Sequence, residues 1–129
     1  MKKIIVSLIA LMLCSSVFAA DEIKLNASNY ITSVKDTAKY KEVEVKQVNN
    51  AGNFPAIKGQ KISHYIMQYG VKCDTREAAL FSTTSYNMQG EVVSVNKVPF
   101  VNKMWAPTDT TDQYGQPRIT KKIADAVCK

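Results

Sequence analysis

Two cysteines, Cys73 and Cys128, carry the most definite chemistry in this sequence. A third, Cys14, lies in an apolar N-terminal stretch that we expect to be removed. The wide spacing of the remaining pair does not match the short ligand spacings of zinc sites, and the chain has a single histidine. Two cysteines in an exported chain allow one connectivity. We therefore predict a Cys73–Cys128 disulfide, which leaves the mature chain without a free thiol.

The catalytic side chains of the common hydrolases are present, but not in the patterns that catalysis needs. His64 lies in a predicted strand, with no glycine loop beside it to stabilise an oxyanion. Glu42 and Glu44 could form a glycosidase pair, but they alternate with valines as a solvated strand face does. Asp109 and Asp112 lie in a threonine-rich loop that lacks the spacing of a calcium loop. We expect no enzyme activity, no cofactor and no metal.

Aromatic residues and lysines make the best candidate contact surface, because tyrosine and tryptophan are favoured at interfaces. The residues that we expect to contact a partner are Tyr40, Lys46, Lys97, Lys103 and Trp105. The alternative is that Tyr65, Tyr69 and Trp105 pack between a sheet and a helix, with lysines at the rim.

The N-terminus predicts export. Met1–Lys3 is positively charged, Ile4–Leu13 is apolar, and small residues follow up to Ala20. This pattern is typical of a signal peptide cleaved after Ala19, so that residues 1–19 are removed and residues 20–129 form one domain. The apolar run is too short to span a bilayer. We expect a periplasmic protein, or one that goes on to the cell surface or the medium, without stable membrane insertion.

Charge excludes one class of partner. The formal net charge is +6, of which Lys2 and Lys3 belong to the predicted leader. The other lysines are dispersed among acidic residues, and no block of basic residues resembles a nucleic-acid-binding arm. We therefore expect a protein partner and no nucleic acid.

The apolar pattern predicts an α+β fold. Alternating or β-branched segments predict strands over Tyr30–Val34, Tyr40–Val48, Lys61–Cys73, Ala78–Met88, Glu91–Asn96 and Val98–Trp105. An apolar stripe at helical spacing predicts a helix over Pro117–Cys128. We expect an antiparallel sheet of about five or six strands, with the one C-terminal helix packed on one face and tethered by the disulfide. Tyr40–Val48 and Val98–Trp105 are candidate edge strands that could recruit a partner.

Several of these segments resemble the surface-adhesin protein E-like domain of exported bacterial proteins. The matching features, over about residues 26–128, are Asn29–Ile31, Lys72–Asp74 followed by Arg76, the strand Leu80–Tyr86 with Gly90, Met104–Pro107, and Ile119, Ile123 and Val127–Cys128. The resemblance implies the same sheet and tethered helix. The best-known member of the family is an outer-membrane lipoprotein that binds vitronectin and laminin. This chain lacks a credible lipidation motif, because Leu13 precedes Cys14, and none of the family's binding residues can be matched here.

These observations predict an exported, non-catalytic binding module. The resemblance favours an adhesin-like contact with host matrix proteins or with another envelope protein, through a sheet face or edge. The alternative is a periplasmic inhibitor or immunity-type partner of an exported enzyme.

Overall fold

The computed structural model of the protein describes residues 22–99 and 104–129. The predicted signal peptide lies outside the described residues. The described elements are β1 (Ile23–Lys24), β2 (Asn29–Asp36), β3 (Lys41–Val48), β4 (Ile62–Lys72), β5 (Glu77–Asn87), β6 (Val92–Lys97), β7 (Ala106–Pro107) and α1 (Ile119–Val127).

One antiparallel sheet contains all seven of these strands, and β1 to β6 are ordered as they occur in the sequence. Each strand therefore pairs with the next one along the chain, and β7 pairs with the start of β5. The β5–β6 turn has Gly90 at a φ of 83°, a conformation that glycine adopts without strain. The Asn87 side chain accepts hydrogen bonds from the backbone N–H groups of Gln89 and Glu91. The strands predicted over Ala78–Met88 and Glu91–Asn96 are thus confirmed, and they form a hairpin.

The core lies on one face of the sheet. Val43 and Val45 of β3 are fully buried, and they belong to the same cluster as Tyr69 and Val71 of β4. Ile123 of α1 is also fully buried in this cluster. The predicted alternation in β3 and the apolar stripe of the helix are therefore correct. We call this side the helix face of the sheet.

A disulfide joins Cys73, just after β4, to Cys128, just after α1, with 5.3 Å between their Cα atoms. Both cysteines pack against the core cluster. The helix begins at Ile119, two residues later than predicted, and the backbone N–H of Cys128 donates to the carbonyl of Ala124 at 2.8 Å. A nine-residue helix is marginal in isolation, so packing and the disulfide hold it on the sheet.

The expected antiparallel sheet is confirmed, and the short strands β1 and β7 bring its strands to seven among the described residues. A two-residue strand is too short to give a periodic pattern in the sequence. Two expectations about the strands were wrong. The segment predicted as an edge strand, Tyr40–Val48, contains β3, which lies between β2 and β4. Among the described residues of Val98–Trp105, none is in a strand. Here β7 begins one residue later, at Ala106.

Arg76 links the β4–β5 turn to the C-terminal half of the chain. Its guanidinium donates to Asp109 at 2.8 Å and to Asp125 of α1 at 2.6 Å. Its backbone carbonyl accepts hydrogen bonds from the N–H and the hydroxyl of Thr108, a fully buried residue. Arg76 therefore holds both the loop after β7 and helix α1 against the β4–β5 turn.

Low pH should weaken the ion pairs of Arg76 with Asp109 and Asp125. The hydrogen bonds from Arg76 hold the pKa values of Asp109 and Asp125 below the ordinary range of an aspartate. Since the folded-state pKa values are depressed, their contribution to stability is present above the unfolded pKa of about 4 and is lost as the pH falls through the folded values. We expect Arg76→Gln to make urea unfolding midpoints less dependent on pH between about pH 6 and about pH 3. Arg118→Gln, which removes the other arginine, should leave the wild-type dependence unchanged; equal effects of the two variants would contradict this account.

Candidate binding face of the sheet

The face of the sheet opposite α1 is the candidate functional surface. The side chains of Tyr69 and Val71 point into the core. Because successive positions of a strand face opposite sides of the sheet, position 70, a glycine, lies on the side away from the helix. By the strand register, Glu42 of β3 lies opposite Gly70, and Gln68 lies opposite Ser82 of β5. We call this surface the outer face.

Three aromatic rings pack together at one end of the outer face. The Tyr40 ring lies 5.4 Å from the Phe81 ring and 5.7 Å from the Trp105 ring, measured between centroids. The Phe81 and Trp105 rings meet edge to face at 5.9 Å. The Lys72 ammonium lies 4.2 Å from the centre of the Trp105 ring, within the range of a cation–π contact. We call Tyr40, Lys72, Phe81 and Trp105 the aromatic patch.

A glycine and a bulge create the space for these rings. Gln68 pairs with Ser82 and Tyr69 pairs with Leu80, so Phe81 is the extra residue of a β-bulge. A Cβ atom at Gly70 would overlap the Phe81 ring and would lie 2.8 Å from the Trp105 ring. A side chain at position 70 would therefore push the rings off the sheet. All three aromatic residues are partly buried, which fixes the rings while leaving part of each in solvent.

Beside the patch, the outer face becomes polar. Glu44 accepts hydrogen bonds from the Gln68 amide at 2.9 Å and from the Thr32 hydroxyl at 3.0 Å. Glu42 and Lys97 line a shallow groove next to Phe81. The aromatic patch is thus bordered by a carboxylate on an inner strand and an ammonium group on the outermost one.

The far end of the outer face is cationic. The His64 and Tyr86 rings stack at 4.7 Å with an angle of 10° between their planes. Burial, and then the charge of Lys46, lower the pKa of His64 from its ordinary value. Lys46 and His64 are diagonal neighbours on β3 and β4, since Lys46 pairs with Ile66 and Val48 with His64.

The predicted contact residues are divided between these regions. Tyr40 and Trp105 come together in the aromatic patch, Lys97 borders its groove, and Lys46 lies at the cationic end. Lys103 lies outside the described residues. Sequence reasoning missed Phe81, because the bulge breaks the alternation that would have placed its side chain.

The alternative packing of the aromatic residues is correct for Tyr69 and wrong for Trp105. Tyr69 is buried in the core cluster with α1. Trp105 contacts Tyr40 and Phe81 on the opposite side of the sheet. Tyr65 stacks on Phe54 of the β3–β4 loop at 4.7 Å.

The residues considered for catalysis and metal binding have other contacts. His64 Nδ1 lies 3.0 Å from the hydroxyl of the adjacent Ser63, and Asp109 pairs with Arg76. The Asp112 carboxylate accepts hydrogen bonds from the backbone N–H groups of Tyr114 and Gln116. Asp109 therefore links its loop to the β4–β5 turn, and Asp112 stabilises the loop that contains it.

Within residues 22–99 and 104–129, no helix has the length and apolar character needed to cross a membrane.

No protein-family model matches the chain, and neither a curated protein nor a solved structure matches it. The likeness to the surface-adhesin protein E-like domain therefore stays a prediction from the residues quoted above.

Proposed function

We propose that the protein is an exported, non-catalytic binding module that contacts a protein partner through the outer face. The observation that carries the proposal is the aromatic patch. Tyrosine and tryptophan supply large contact areas at low cost in side-chain entropy, and they are enriched among the residues that dominate binding energy. Packing against each other has already reduced the freedom of these rings, so a partner would lose less entropy in fixing them.

The position of the patch supports the same proposal. The helix packs on the other face of the sheet, so the outer face is the one that this helix leaves open to a partner. Lys72 and Lys97 flank the rings and favour a partner with acidic groups at the rim of the contact. The resemblance to the adhesin family adds a class of partner, the host matrix proteins, and export is the condition for meeting them.

The test compares binding to immobilised vitronectin and laminin for the wild type and Trp105→Ala. Trp105 is the only tryptophan, and removing an interface tryptophan of this kind typically costs 2 kcal/mol or more, so we expect binding to weaken by about thirtyfold. Tyr114→Ala is the matched control, because Tyr114 is an exposed aromatic residue, 78% accessible, in a loop away from the patch. Gly70→Ala keeps all four side chains but displaces the rings, and it should weaken binding as well.

The outcomes distinguish the adhesin-like function from the inhibitor or immunity-type function. Saturable binding that is lost in Trp105→Ala and kept in Tyr114→Ala supports the adhesin-like function. If neither matrix protein binds, affinity purification from an envelope extract with the same variants becomes the second arm. One stoichiometric enzyme partner that depends on Trp105 would favour the inhibitor or immunity-type role. A partner whose binding survives both Trp105→Ala and Gly70→Ala would rule out the outer face as its contact surface.

A further inference from the structure

A cleft at the cationic end of the outer face, remote from the aromatic patch, has the composition of an anion-binding site. It encloses about 340 Å³ where β3 ends and β4 begins, beside the loop that joins them. Lys46, Lys61 and His64 supply its basic groups. Asn49, Asn50 and Ser63 supply further polar groups. The Asn49 and Asn50 amides already donate to the backbone carbonyls of Ile62 and Ala27. The two lysines and the imidazole are therefore the groups of the cleft that can bind a ligand.

Positive charge in the cleft is not balanced by negative charge. No aspartate or glutamate is among the described residues that line it. Neither the Lys46 nor the Lys61 ammonium group forms an ion pair or a hydrogen bond with any described residue, whereas those of Lys41 and Lys121 are both paired with aspartates. The basic groups of the cleft therefore have no described carboxylate to balance their charge, and a bound anion would supply that balance.

The imidazole is held in place for such a contact. Its Nδ1 is engaged with the Ser63 hydroxyl at 3.0 Å, and its ring is stacked on Tyr86. The remaining nitrogen, Nε2, is left for another partner. The neighbouring charges that act on the ring are positive, since Lys46 contributes to lowering the pKa of His64. An anion would act in the opposite direction and favour the protonated ring, in which both nitrogens donate.

We propose that this cleft binds a doubly charged phosphate group, either as inorganic phosphate or as a phosphate monoester. Two ammonium groups and a protonatable imidazole match the charge of a phosphate monoester, which is close to −2 at neutral pH. Its several acceptor oxygens can receive hydrogen bonds from all three side chains, whereas a carboxylate offers two oxygens and one charge. The proposal does not depend on the function proposed for the aromatic patch.

The only histidine of the chain makes the test direct. Inorganic phosphate is titrated into the full protein at constant ionic strength, set with sodium chloride, while the Hε1 resonance of His64 is followed by NMR. We expect a saturable shift and a higher pKa for His64 in the phosphate-bound protein. Lys46→Gln and Lys61→Gln should each weaken phosphate binding by about tenfold, since each removes a charge-assisted hydrogen bond.

Lys35→Gln is the matched control, because Lys35 is an exposed lysine and its loss changes the net charge equally. Lys35 pairs with Glu42, at the opposite end of β3 from the cleft. The control should bind phosphate as the wild type does. An unsaturable shift, or an equal loss of affinity in Lys35→Gln, would overturn the proposal in favour of general charge screening.

Two further ligands distinguish the sources of the phosphate. Glucose 6-phosphate should reproduce the effect of inorganic phosphate if a monoester is accepted. Vesicles of phosphatidylglycerol carry singly charged phosphodiesters, and they should bind no more tightly to the wild type than to Lys46→Gln. Tight, lysine-dependent binding to these vesicles, without any response to inorganic phosphate, would replace the proposed site with a lipid-binding surface.

Discussion

Replacing both Cys73 and Cys128 with serine is expected to lower the free energy of unfolding by about 4 kcal/mol. The two residues are 55 positions apart, and the chain-entropy model gives this value for a loop of that length. The loss is comparable to the whole stability of many small domains. The paired variant removes the cross-link without leaving an unpaired thiol.

Urea unfolding, followed by the fluorescence of Trp105, measures the effect. The reduced wild type should unfold close to the midpoint of the Cys73→Ser/Cys128→Ser protein, because both lack the same covalent link. Intact-mass measurement after alkylation gives an independent check: the unreduced native protein should take up no label at these two cysteines. Labelling of both sulfurs without reduction, or equal urea midpoints for the wild type and the double variant, would contradict the disulfide.

The second large effect is expected from Ile123→Ala in α1. Ile123 is fully buried between the helix and the sheet, in contact with the cluster of Val43, Val45 and Val71. Removing its three outer carbon atoms should cost 2 to 5 kcal/mol, from the lost transfer free energy and the cavity that remains. The disulfide keeps the helix near the sheet in this variant, so the measured loss reports packing alone.

Lys122→Ala is the control for Ile123→Ala. Lys122 is the preceding residue of the helix and is only partly buried. Alanine has a high helix propensity, so this variant should change stability by less than about 0.5 kcal/mol. Equal losses in the two variants, measured by urea unfolding at the same pH, would show that α1 does not bury Ile123 as described.

The sequence predicts the repeating parts of this fold well, because strand alternation and helical spacing are properties of neighbouring residues. The alternation of Val43 and Val45 with charged residues placed the inner face of β3 correctly. The spacing of Ile119 and Ile123 placed the buried stripe of α1. The disulfide followed from the number of cysteines, and it does not depend on knowing the register of any strand.

The parts that were missed depend on contacts between distant segments. No local pattern indicates that β3 is an inner strand, because this depends on β2 and β4 pairing with its two edges. The bulge at Phe81 interrupts the alternation of side chains along β5. The residues around Phe81 have the same strand-forming character as the rest of β5, so the sequence does not indicate the bulge. The joint position of Tyr40, Phe81 and Trp105 follows from this bulge and from the space above Gly70.

The cationic cleft also depends on contacts between distant segments, although its residues are visible in the sequence. Lys46, Lys61 and His64 are visible in the sequence as ordinary basic residues among others. Their unusual property is the absence of an acidic partner among the described residues around the cleft, and this depends on which residues the β3–β4 loop brings to it. Composition alone indicated a mildly basic surface without locating it.

The sequential pairing of β1 to β6 has a consequence for how the molecule matures. Each hairpin can close as soon as its second strand is free to pair, and such local pairing favours rapid folding. Cys128 follows every strand in the sequence, so its sulfur reaches Cys73 only after the hairpins can already have formed. The disulfide is then formed last, between a paired sheet and the C-terminal helix. A catalyst of disulfide formation would act on a chain whose strands have already paired, instead of on an extended chain.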